Sequence, residues 1–83
     1  MMSHKSIADI FNKRFPKSTV IRIIDYNEEY YVVEASEDPN SADTSSSLYG
    51  LHKKTGKVTS FSPSVDLDYF FDAVENRTLW CSY

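Results

Sequence analysis

Apolar positions along this chain fall into blocks with two different periods. Ile7, Ile10, Phe11 and Phe15 recur at helical spacing and form one stripe. Ser6 with Asp9 three residues on resembles a capping box, and Ser3 offers an earlier start. Pro16 disfavours helical geometry at Phe15, so the helix is expected to stop near Arg14. A β-branched run, Thr19-Val20-Ile21-Arg22-Ile23-Ile24, then predicts a strand with Thr19, Ile21 and Ile23 on one face and Val20, Arg22 and Ile24 on the other. Asp25 to Glu29 reads as a turn into a second strand, Tyr30 to Ala35. Residues 36–47 hold one Ala and otherwise no hydrophobe, which predicts a mobile polar loop. Leu48 to His52 and Val58 to Phe61 predict a third and a fourth strand. Gly56 between them suits the left-handed position of a bulged hairpin.

The last helix is expected to begin at Ser62-Pro63, an N-cap followed by proline at the first helical position, with Ser64 as a later cap. Leu67, Phe70, Phe71 and Val74 make its apolar stripe, and Asn76 can end it. Leu79 to Tyr83 is left as an extended tail or a short edge strand. The order α-β-β-β-β-α specifies a single small α+β domain over residues 1–83, an antiparallel meander with helices packed on one face.

Composition adds exclusions. One Cys in 83 residues rules out an internal disulfide framework and a multi-cysteine zinc site. No apolar run approaches a membrane span, and the first residues carry no secretory pattern, so a cytoplasmic setting without membrane contact is the expectation. The net charge of −3 hides bands of +4 over residues 1–24, −7 over 25–49, +3 over 50–62 and −3 from residue 63. Such bands let neighbouring elements attract one another. A pI of about 5.2 disfavours nucleic acid as a partner, because a binder of that kind carries a coherent basic face.

Candidate chemistry fails at each point where a spacing can be tested. Gly50 to Lys57 places five residues between its glycines instead of the four of a phosphate loop, and Val58 stands where a hydroxyl is needed. Asp38 to Asp43 departs from a calcium loop, with Ala42 removing a ligand and Asp43 replacing the turn glycine. His4, His52 and Cys81 would pair as nucleophile and base only through the tertiary fold. These failures leave no catalytic residue, metal ligand or cofactor to assign, and a non-enzymatic role is the expectation.

Two features remain. Phe11, Phe15, Phe61, Phe70 and Phe71 are claimed by the core stripes. Tyr26, Tyr30, Tyr31, Tyr49, Tyr69, Trp80 and Tyr83 exceed what one small core hides, and such residues favour interfaces. Asp68, Asp72 and Glu75 fall at i, i+4 and i+7 of the last helix, an acidic row without a cation at pairing distance before Arg77. Either the basic first helix or the Lys53–Lys57 hairpin neutralises that row, or the row, with Trp80 and Tyr83, meets a basic patch on another protein.

The stretch Leu48-Tyr49-Gly50-Leu51-His52-Lys53-Lys54-Thr55-Gly56-Lys57-Val58 resembles the strand–turn–strand ending of PepSY-like small bacterial α+β domains. It is similar, too, to small immunity proteins of the YrhB-like kind. That resemblance implies a protein-binding role in bacteria or their phages, with no catalytic residues to carry over. The expectation is therefore a stoichiometric protein-binding module of immunity or inhibitor type. The alternatives are a nucleic-acid-associated regulatory factor, using the first helix and the Lys53–Lys57 turn, and a homodimeric component of a larger assembly.

Overall fold

The computed structural model describes residues 3–36 and 46–82. Helix α1 spans His4–Arg14, and its cap is Ser3, whose hydroxyl accepts from the Ser6 N–H at 3.2 Å. The earlier of the two possible starts is therefore the one used. Lys13 and Arg14 sit in the last turn, where cations complement the helix dipole. Strands β1 (Thr19–Asp25), β2 (Tyr30–Ser36), β3 (Ser47–His52) and β4 (Val58–Ser60) form the expected antiparallel meander. A 3₁₀ turn over Pro63–Val65 precedes helix α2, Leu67–Asn76. Strand β5, Thr78–Cys81, then pairs antiparallel with β1, so the sheet order is β4-β3-β2-β1-β5. Residues 78–81 are thus an edge strand, which gives five strands and two α-helices among the described residues.

Hairpin chemistry places the turns. Asn27 Oδ1 accepts from the N–H groups of Glu29 and Tyr30 at 2.9 and 2.8 Å, fixing the β1–β2 turn. Gly56 has φ of 73° and donates its N–H to the His52 carbonyl at 2.8 Å, as the left-handed position requires. His52 adds a cap of its own, Nδ1 accepting from the Lys54 and Thr55 N–H groups.

Three expectations need correction. Ser36 and Ser47 belong to β2 and β3, Ser36 is buried, and Ser46 donates its hydroxyl to Glu34; residues 37–45 of the expected loop lie outside the described residues. Ser62 stands at the N-cap position of the 3₁₀ turn, ahead of Pro63 and without a side-chain cap bond, and does not start α2. Asp66 caps α2 instead, accepting from the Tyr69 N–H at 3.1 Å, because proline at 63 starts a single 3₁₀ turn first.

The third correction concerns layering. The two helices lie on opposite faces of the sheet, not on one. Ile7 and Phe11 of α1 bury against Val20, Ile23, Tyr31, Val33, Ala35 and Leu51. Phe70 and Ala73 of α2 bury against Ile24 and Val32, the alternate residues of the same strands. Register explains the mixed pattern of β1. Val20 pairs with Ala35 and Arg22 with Glu34, so Ile21 is an extra residue in a bulge. The bulge brings Val20 onto the α1 face with Ile23, where strict alternation would have separated them. Both central strands are apolar on both sides, and such strands require cover on both sides.

Candidate functional site

Helix α2 carries the main candidate surface. Phe70 and Ala73 point into the sheet and Val74 is half-buried. Asp68, Asp72 and Glu75 are exposed on the opposite side of the helix, as their i, i+4, i+7 spacing requires. Among the described residues no Lys or Arg comes within ion-pair distance of this row; the pairs present are Arg22–Glu34 and Lys53–Asp25. The basic residues of α1 lie across the sheet and cannot neutralise it. Asp72 Oδ1 instead accepts from Asn76 Nδ2 at 2.9 Å, a bond within the helix.

Between the acidic row and the sheet lie Leu67 and Phe71, one turn apart. They remain 48% and 57% exposed. The apolar arc of α2 is wider than its footprint on the sheet, so the Phe71 side chain that the stripe assigned to the core faces water. Periodicity gave no signal to separate Phe70 from Phe71, because both fall within one wide apolar arc.

Trp80 is not beside the acidic row. It pairs with Ile23 on the α1 face, half-buried, and its ring stacks on His4 with centroids 6.0 Å apart and planes within 8°. A small apolar crevice of about 280 Å³ lies there, lined by Ala8, Val20, Ile23 and the two rings. Tyr83, the remaining expected partner-binding residue, lies outside the described residues. The other aromatics are better hidden than one core would allow, because there are two cores. Tyr31 is buried, and Tyr49 packs on Phe11 and Phe15 at 5.2 and 4.9 Å. Tyr26 packs edge-on against Phe61 and Tyr69, each at 5.0 Å.

The residues of the other chemical readings do not assemble. Cys81 pairs with Arg22, on the face opposite Trp80 and His4, and His52 lies on β3, beyond β1 and β2. Of the hairpin cations, Lys53 is already engaged. Its Nζ bonds Asp25 Oδ1 at 2.6 Å and lies 4.8 Å from the Tyr31 ring centroid. Among the described residues no three His, Cys, Asp or Glu side chains group to hold a metal, and no helix is long and apolar enough to cross a membrane.

A second concavity, a polar cleft of about 720 Å³, lies where the end of β1, the β1–β2 turn, the Lys53 hairpin and both ends of α2 converge. Sequence reasoning gave no hint of it, since its walls come from four separate segments. No protein-family model, curated protein or solved structure matches the chain.

Proposed function

We propose that this domain is a non-enzymatic protein-binding module of the immunity or inhibitor kind, acting stoichiometrically through the outer surface of α2. The observation that carries the reading is the exposed Leu67–Phe71 pair beside three carboxylates without cationic partners. An apolar pair at i, i+4 flanked by charge is how a helix presents anchors to a groove. Completing the burial of two such side chains is worth about 1–2 kcal/mol each, whereas exposed rim charges contribute little affinity. Leu67 and Phe71 therefore hold the partner, and Asp68, Asp72 and Glu75 speed its approach and select a basic surface.

The test is comparative capture by the intact protein, followed by kinetics on the purified complex. The expected complex is one-to-one by native mass spectrometry. Leu67→Ala with Phe71→Ala shortens its lifetime, and Asp68→Lys with Asp72→Lys slows association and removes its salt dependence. A captured protein that binds both variants as it binds the natural sequence would refute this surface.

A further inference from the structure

The polar cleft at the end of the sheet contains a cation held in an unusual state. Arg77 closes α2 with its N–H on the Ala73 carbonyl at 2.7 Å, and its own carbonyl accepts from the Asp25 N–H at 2.9 Å. Its backbone is therefore fixed at the junction of α2 and β1. The guanidinium lies over the Tyr69 ring, 4.8 Å from the centroid. Tyr69 is itself held by donating its hydroxyl to the Tyr26 carbonyl at 2.9 Å. In this setting Arg77 Nε and Nη2 are buried and have no acceptor among the described residues. Those two nitrogens form the edge of a guanidinium that grips a carboxylate with parallel hydrogen bonds. Leaving charged donors buried and unpaired is costly, and native structures avoid it except where a group has another use.

The charges around Arg77 narrow what would complement it. Lys53 and Asp25 satisfy each other across 2.6 Å. Glu28 and Glu29, both exposed, line the same cleft and are in no ion pair among the described residues. The unpaired groups are thus one cation against two anions. A simple anion would gain Arg77 but suffer repulsion from both glutamates. A molecule with a carboxylate at one end and an ammonium at the other satisfies both sides.

We propose that this cleft binds a small amino-carboxylate, its carboxylate gripped by Arg77 Nε and Nη2 and its ammonium directed to Glu28 and Glu29. Because both nitrogens are closed to solvent, binding swings the guanidinium outward across the Tyr69 face. The site lies apart from the acidic row and does not depend on the protein-binding reading.

The arginine Nε–Hε resonance of Arg77, followed in the ¹⁵N-labelled intact protein, reads binding directly. The probes are glycine, 6-aminohexanoate, acetate and methylammonium at matched pH and ionic strength. At least one amino-carboxylate is expected to shift the Arg77 Nε–Hε and Tyr69 amide signals saturably in the millimolar range, with acetate and methylammonium about tenfold weaker. Arg77→Lys weakens the amino-carboxylate about tenfold, since lysine cannot supply two parallel hydrogen bonds. Glu28→Gln with Glu29→Gln, at exposed turn positions that keep the fold, shifts the preference toward acetate. No saturable shift with either amino-carboxylate, equal affinity for acetate, or an unchanged preference in the double glutamine variant would each overturn the proposal. All three of these readouts remain available if the Arg77 variant does not fold.

Discussion

The two faces of the sheet are made by alternate residues of the same strands, yet they are finished very differently. On the α1 face eight residues are buried, Ile7 and Phe11 among them, and the rim is sealed by Phe15, Tyr49, Val58 and Trp80. On the α2 face four residues are buried, and the helix turns Leu67 and Phe71 to water. A helix about 10 Å across covers roughly two strands spaced about 4.8 Å apart, so one helix cannot seal five strands on either side. The α1 face completes its cover with aromatic rings. The α2 face completes part of it with Tyr26 and Phe61 and leaves polar groups, including the Arg22–Glu34 pair, elsewhere. The lesson is a division of labour in which one side holds most of the buried core and the other leaves apolar side chains facing water.

The strongest way to break this comparison is to truncate the anchor of each face. Phe11→Ala removes a fully buried ring and should cost about 4 kcal/mol, a large part of what a domain this size possesses. Phe70→Ala, from the smaller cluster, should cost about 3 kcal/mol. Denaturant unfolding gives both values, and amide exchange gives their location. Faster exchange confined to α2 and β5 in Phe70→Ala would sharpen the division; equal acceleration across α1 would erase it.

How much of this was legible in the sequence follows from which interactions are local. The end of α1, the meander and the Gly56 turn were readable, because period, proline and glycine act within a few residues; the start of α1 was left open between Ser6 and Ser3. The bulge at Ile21 was not, since it exists only in the pairing of β1 with β2, and with it went the correct face for Val20. The assignment of α2 to the opposite face was hidden for a related reason: Ile23 and Ile24, like Val32 and Val33, are apolar on both sides and do not say which helix covers which. The acidic row was legible as a spacing. Its lack of cationic partners was not, because that depends on α1 lying across the sheet. The Arg77 cleft left no local trace at all.

Effects of about 1–2 kcal/mol test the local devices that set the two faces in place. Gly56→Ala forces a Cβ into the left-handed region and should cost about 1–2 kcal/mol, opening the hairpin that carries Lys53. Asp66→Ala removes the α2 cap and should cost about 1 kcal/mol. Thermal unfolding of the two variants checks both values. A neutral Asp66→Ala would mean that the 3₁₀ turn alone positions α2.

Smaller still is the expected cost of removing the exposed pair. Leu67→Ala with Phe71→Ala should change stability by about 1 kcal/mol or less, because about half of each side chain already faces water. A loss of several kcal/mol in denaturant unfolding would show that the two residues serve the core after all, and the contrast between the faces would shrink.

The finest test of the contrast is pH dependence, which singles out the α2 face through Tyr26. Burial raises the Tyr26 hydroxyl above its ordinary value of 10.0, and the neighbouring Asp66 and Tyr69 raise it further against the opposing pull of Arg77. The neutral phenol is therefore the form the folded state favours. Its contribution to stability is fully present below the unfolded value and declines as pH rises from there through the folded one, because the unfolded chain releases that proton more readily. The natural sequence alone does not isolate the effect. Tyr26→Phe keeps the ring against Phe61 and Tyr69 and removes the ionisation. Unfolding midpoints of the two proteins, compared between about pH 9 and 11, should show the natural sequence falling more steeply as pH rises. Parallel curves would mean that the Tyr26 hydroxyl ionises equally well in both states, and that the α2 face is more open to water at Tyr26 than its packing implies.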